Sequence, residues 1–224
     1  MTQKTAPGLQ SSSNSRLSPH FQRSDAAIEQ REVAFQGFFR LEKLTLKHKT
    51  FSGQWSNAFT REVFVRGNAV GVLLYDPRRD QILLIEQFRP GALYDEQQSP
   101  WQFEIVAGMT EAGESSEDVV RREAMEEAGC TIEQLEFLMK YWVSPGGMDE
   151  QIELYCGMID ASQVREGVYG LDEENEDIRV ELVSYAEAIQ ALQDGVINNA
   201  MAIIALQWLQ LNRDRLRTQW CSAS

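Results

Sequence analysis

Histidine is almost missing from this chain: of 224 residues only His20 and His48 are histidine. His20 lies in a Ser-rich stretch, so chemistry built on paired imidazoles is nearly excluded and carboxylates have to be considered first. Cysteine is scarce too. Cys130, Cys156 and Cys221 form an odd, widely spaced set without a CxxC, which fits neither a disulfide framework nor a thiolate zinc site and makes a reducing cytoplasm the default location. Nowhere do roughly 18 consecutive apolar residues occur, as a membrane-spanning helix requires, and residues 1–30 lack the apolar core of a signal peptide; no membrane partner is expected. Basic residues are also short. Against 34 acidic side chains stand 21 basic ones, a formal charge of −13, which argues against a nucleic-acid backbone as partner, since phosphates are bound by Lys and Arg that replace counterions. An acidic chain that binds phosphates needs local arginines or bound cations.

What is present suits a globular protein, with 43% hydrophobic and 25% charged residues. Residues 1–30 are polar and Ser-rich and read as a flexible tail, having too few large apolar residues to offset the entropy of ordering them. From Val33 to about Arg66 apolar and polar residues alternate as in half-buried strands, which defines a small N-terminal β-subdomain over 31–66. A larger domain is expected over 67–220. It opens with a hairpin, Ala69–Tyr75 and Gln81–Gln87 around the turn sequence DPRRD. A strand over Trp101–Ala107 follows, then a helix from Ser115 to Ala128 with Ser115 as cap and Gly129 as stop. Strands recur at Glu136–Val143, Gln151–Ile159 and Ile178–Ser184. Helices over Tyr185–Asp194 and Asn198 to about Arg217 finish the chain, the last with an apolar face of Ile203, Ile204, Leu206, Leu209 and Leu211. Strands joined by hairpins as well as helices indicate a mixed α/β or α+β sandwich.

On the helix after Gly108, a turn of about 100° per residue places Glu123, Glu126 and Glu127 on one side, beside the apolar stripe Val120, Ala124 and Ala128. Carboxylates at this spacing repel one another. Hard cations such as Mg²⁺, which take oxygen ligands, turn that cost into a gain, although a solvated glutamate face would look the same.

The stretch Gly108–Cys130, GMTEAGESSEDVVRREAMEEAGC, is similar to the Nudix signature at every charged and glycine position: Gly108, Glu114, Arg122, Glu123, Glu126, Glu127 and Gly129. Only Ala124 and Cys130 stand where larger aliphatics are usual. The resemblance implies a Nudix α/β/α sandwich with a mixed sheet and a metal-dependent hydrolase that cleaves a diphosphate linked to a nucleoside. It implies that Glu123 and Glu127 ligate metal together with the carbonyl of Ala107, with Glu126 a third candidate that is counted among the catalytic residues. It implies further that Arg122 orients the glutamates and that Glu114 braces the loop. Mg²⁺ is the expected ion, with Mn²⁺ as substitute.

From about Gly37 to Trp220 the chain resembles the ADP-ribose pyrophosphatase subgroup, through GFF at 37–39, REVFVRGNAV at 61–70, LLIEQFR at 83–89, SPGG at 144–147, ENEDIRV at 174–180 and NNAMAIIALQWLQL at 198–211. That likeness implies hydrolysis of ADP-ribose to AMP and ribose 5-phosphate by a homodimer that exchanges N-terminal strands. The acidic loop 172–177 fails the calcium-loop pattern for want of a Gly at its sixth position. By resemblance Glu174 is the catalytic base, with Glu173 one residue away as an alternative, and Glu176 a further metal ligand. Arg61 and Arg89 match arginines that contact the diphosphate or terminal ribose, Phe38 an aromatic that stacks on adenine, and Glu150 a residue near the reacting phosphates. Arg61 and Arg89 also have an ordinary reading as surface strand residues, and Phe38 as plain core. Two rivals stand beside this one: hydrolysis of another nucleoside diphosphate sugar, GDP-mannose or ADP-glucose, and a non-catalytic ADP-ribose sensor, which the retained glutamates disfavour.

The charge is unevenly spread. Residues 1–66 hold ten basic and five acidic side chains, so the remainder carries −18, and the stretches 108–130 and 172–177 contribute −5 each.

Overall fold

A computed structural model describes residues 17–111, 113–171 and 175–222. The chain divides into two compact units, Met1–Phe64 and Val65–Ser224. The first carries a three-stranded sheet, β1 (Ala26–Gln36), β2 (Arg40–His48) and β3 (Phe59–Val65), in that order. β1 begins within the segment read as a tail, Ala26 pairing with His48 in an antiparallel register. Its side chains are exposed along nearly the whole strand. Main-chain pairing rather than burial orders it, and a pattern of apolar residues carries no trace of that.

The second unit is built on a mixed sheet. Its strands are β4 (Ala69–Asp76), β5 (Gln81–Phe88), β6 (Trp101–Glu104), β7 (Val106–Met109), β8 (Gln134–Trp142), β9 (Gln151–Met158), β10 (Gly167–Tyr169) and β11 (Ile178–Ser184). The order is β10-β11-β5-β4-β9-β8, with β6 paired to β5 and β7 to β4. Only β4 and β9 run parallel among the pairings of the described residues. β4 and β5 pair directly over Leu74–Asp76 and then diverge. Into the gap runs 101–109, which pairs first with β5 at Glu104 and Ile85 and then with β4 at Val106 and Val72. The single strand expected over Trp101–Ala107 is therefore two. The break falls at Ile105, which is buried, because the segment must change partner there.

Helix α1 (Ser116–Ala128) covers one face of the sheet through Val119, Val120, Ala124 and Ala128. Helices α2 (Tyr185–Gln193) and α3 (Ala200–Cys221) cover the other, through Ala188, Ala202, Ala205, Leu206, Leu209, Leu216 and Trp220. This is the expected α/β/α sandwich. The apolar face of α3 differs from the expectation at Leu211, which is 87% exposed. The small residues Ala202 and Ala205 instead let the helix approach the sheet, and it continues past Arg217 because Trp220 is buried.

Candidate active site

Local signals fix α1. The Ser115 hydroxyl accepts the Asp118 N–H at 3.2 Å, and Gly129 ends the helix with φ +59°, the left-handed conformation that glycine adopts without steric cost. The β7 end of the sheet meets the helix closely. A Cβ at Gly108 would overlap the Glu123 carboxylate, so glycine at 108 is what admits Glu123 against the strand.

Glu127 is 3% exposed and accepts the Ala107 N–H at 3.1 Å. Burial pushes its carboxyl up to about 8; the Ala107 hydrogen bond opposes this, and the charges of Glu123 and Glu176 add to it. Burial likewise lifts Glu123 to about 7, against the pull of Arg122 and with the push of Glu126 and Glu176. These side chains therefore form one electrostatic cluster that is short of positive charge. Glu176 is held by its own loop: its carboxylate accepts the Leu171 N–H and its N–H donates to the Leu171 carbonyl, both at 3.2 Å. Asn175 just before it has φ +56°.

Arg122 sits among three acids, with Nη1 2.9 Å from both Glu123 and Glu126 and Nη2 3.5 Å from Glu114. Arg122 thereby pairs with two glutamates of α1 and with Glu114 in the loop before the helix. Arg89, beyond the end of β5, is buried enough to weaken its charge, but hydrogen bonds to Glu104 and the nearby charges of Glu104, Glu127 and Glu176 raise its pKa overall. Its Nε and Nη2 lie 3.0 and 2.6 Å from one oxygen of Glu104.

Of the residues singled out in the sequence, the structure thus gathers Ala107, Glu123, Glu126, Glu127, Glu176, Arg122 and Arg89. Glu150 has another neighbourhood: it pairs with Arg66 at 3.3 Å, and burial raises its carboxyl against the opposing charge of Arg66. Phe38 and Arg61 belong to the first unit. Phe38 is 87% exposed and meets Phe39 edge-on at 4.8 Å, while the Arg61 guanidinium lies over the Phe59 ring at 4.8 Å. Glu174 and its alternative Glu173 lie outside the described residues. Glu104 was missed. In WQFEIVA the apolar Trp101, Phe103 and Ile105 alternate with Gln102 and Glu104, which reads as a solvated strand face; nothing local signals that Arg89 crosses that face.

Among the described residues no three His, Cys, Asp or Glu side chains are drawn into a closed ligand set. The donor chemistry nevertheless fits a hard divalent cation. Glu123, Glu127 and Glu176 offer only oxygen, and their mutual repulsion under burial is a cost that such an ion offsets.

The α/β/α fold with an acidic helix is that of a family, and the chain belongs to the NUDIX domain family, whose model matches residues 65–203. Among curated relatives, it is 44% identical over 203 residues to the ADP-ribose pyrophosphatase of Haemophilus influenzae, covering 90% of this chain and 93% of that one. To the ADP-ribose pyrophosphatase of Escherichia coli K12 it is 46% identical over 200 residues, 89% and 95% of the two chains. A GDP-mannose pyrophosphatase of Yersinia pestis is 32% identical over 181 residues, 81% and 89%. The solved structure of an ADP compounds hydrolase superposes with a TM-score of 0.65 at 22% identity over 90% of this chain and 98% of that one, a likeness of fold.

Proposed function

We propose that this chain hydrolyses the diphosphate of ADP-ribose to AMP and ribose 5-phosphate, with Mg²⁺ as the preferred ion and Mn²⁺ as a substitute. The observation that carries the reading is the carboxylate cluster of Glu123, Glu127 and Glu176 near Arg89, with Glu127 buried against the Ala107 N–H at 3.1 Å. Identity supports ADP-ribose over other nucleoside diphosphate sugars, at 46% against 32% for the GDP-mannose relative.

Glu123, Glu127, Glu176 and the Ala107 carbonyl would hold the ion, which when bound supplies positive charge to the diphosphate and lowers the pKa of water. The protein does the rest. Arg122 keeps Glu123 and Glu126 in place. Arg89 offers N–H groups to the diphosphate oxygens, for which a planar guanidinium is well shaped. Glu174, or Glu173 beside it, takes the proton of the attacking water. Phe38 and Arg61 are assigned to the adenine and to the diphosphate or terminal ribose. Glu150 is assigned to the neighbourhood of the reacting phosphates.

The same reading makes the working unit a homodimer that exchanges N-terminal strands. Val33 and Phe35 support it, 56% and 64% exposed on β1, where an isolated chain gains nothing from apolar residues. A sedimentation mass near 25.5 kDa at micromolar concentration would overturn the dimer. For the reaction, purified protein with Mg²⁺ is assayed on ADP-ribose, ADP-glucose and GDP-mannose with product identification. The highest kcat/KM is expected for ADP-ribose, and a higher value for a hexose nucleotide would refute the substrate assignment.

A further inference from the structure

Glu104 closes β6, where it pairs with Ile85 of β5. Ile85 belongs to the core under α1, so Glu104 stands on the sheet face that carries the helix glutamates. It does not join them. Its Oε2 receives Nε and Nη2 of Arg89 at 3.0 and 2.6 Å, and Nε2 of the buried Gln87 lies 3.5 Å from the same oxygen. The Nε edge of the guanidinium is thereby taken up. Among the described residues no hydrogen bond engages Nη1, and the charges of Glu127 and Glu176 act on the group.

We propose that Glu104 is a positioning residue: it holds Arg89 by one edge so that the other edge is presented to the substrate diphosphate. Two physical arguments carry this. A guanidinium anchored before substrate arrives loses less rotamer freedom on binding than a free one. Moreover, Glu127 and Glu176 would otherwise draw Arg89 onto themselves and compete with the cation for their oxygens. Glu104 supplies a carboxylate that already engages Arg89 by its Nε edge. The role rests on the function proposed above, in that Arg89 meets a diphosphate.

The test is a double-mutant cycle of Glu104→Gln and Arg89→Ala, read by KM, kcat and calorimetric binding of α,β-methylene-ADP in the presence of Mg²⁺. Glu104→Gln is expected to raise KM for ADP-ribose, and the Kd of the probe, about tenfold while kcat stays within about threefold; in the Arg89→Ala background the same change is expected to shift both by less than about twofold. A purely structural role would not vanish when Arg89 is gone. An undiminished effect in that background would overturn the proposal, as would an unchanged KM and Kd. So would a roughly tenfold rise in the Mg²⁺ needed for half-maximal rate at unchanged KM, which would make Glu104 a metal ligand. Should Glu104→Gln not fold, Glu104→Asp keeps the charge, withdraws the carboxylate from Arg89 and carries the same cycle. If wild-type protein does not hydrolyse ADP-ribose, the function fails separately, and the binding arm still decides on Glu104.

Discussion

Two groups of buried carboxylates in the second unit are treated in opposite ways. At the β4–β5 turn, burial pushes Asp76 and Asp80 up, but their partners more than offset it. Asp76 accepts the N–H groups of Arg78, Arg79 and Ala161 at 2.8 to 3.0 Å and a guanidinium N–H of Arg79. Asp80 accepts from Arg213 and from the Tyr75 hydroxyl. Both carboxyls end below their ordinary range. On α1, burial of Glu123 and Glu127 is not offset, and both end well above it. One set is complete and joins the hairpin to α3 and to the turn after β9. The other is left short of positive charge, which is a stability cost retained where an incoming cation and substrate would be held.

The sharpest way to break the comparison is Glu127→Gln. If Glu127 serves function at the expense of stability, activity with Mg²⁺ falls about a thousandfold. Meanwhile the metal-free protein at pH 8.5 melts higher than wild type by about 4 °C, since an amide can still accept the Ala107 N–H without carrying the charge. Steady-state kinetics and calorimetric melting measure the two effects. Lower thermal stability with normal turnover would reverse the assignment.

Asp76→Ala should behave as the mirror image. Removing this carboxylate strands three backbone N–H groups, while the Arg79 guanidinium keeps Asp160 at 2.7 Å, so unfolding free energy drops by about 3 kcal/mol while kcat/KM at 25 °C changes less than about twofold. Urea unfolding alongside the ADP-ribose assay checks it. A large loss of activity in a still-folded variant would show that the hairpin turn is coupled to the site.

How much of this contrast could be read from residues alone depends on range. The helix glutamates were legible because i, i+3 and i+4 spacing, a Ser cap and a Gly stop are local facts about Ser115–Gly129. The hairpin was legible for the same reason. The exchange of partners at Ile105 was not, because the divergence of β4 from β5 is a property of the sheet. For the same reason the Arg89–Glu104 pair stayed hidden: Glu104 ends β6 and Arg89 follows the end of β5, fifteen residues apart in the chain. The DPRRD turn showed its polarity but not its partners, since Arg213 is 133 residues from Asp80. The start of β1 at Ala26 was invisible for a different reason, being held by main-chain pairing without burial.

The smallest expected effect is on pH dependence, where the two groups act with opposite signs. Asp76 and Asp80 have folded pKa values below the ordinary 3.8. Their contribution is therefore fully present above that value and is lost as pH falls through the folded pKa. Glu123 and Glu127 have folded values of about 7 and 8 against an ordinary 4.5. Here the folded state binds more protons than the unfolded one, so stability falls as pH rises from 4.5 toward 8. The metal-free protein should consequently be most stable near pH 5 and lose stability toward pH 8. Saturating Mg²⁺ should flatten that decline by favouring the ionised carboxylates, and Glu127→Gln should flatten it without metal. Melting curves from pH 3 to 9 with and without Mg²⁺ read this directly, and a metal-free profile that rises steadily to pH 8 would mean that the helix glutamates are as well compensated as the aspartates of the turn.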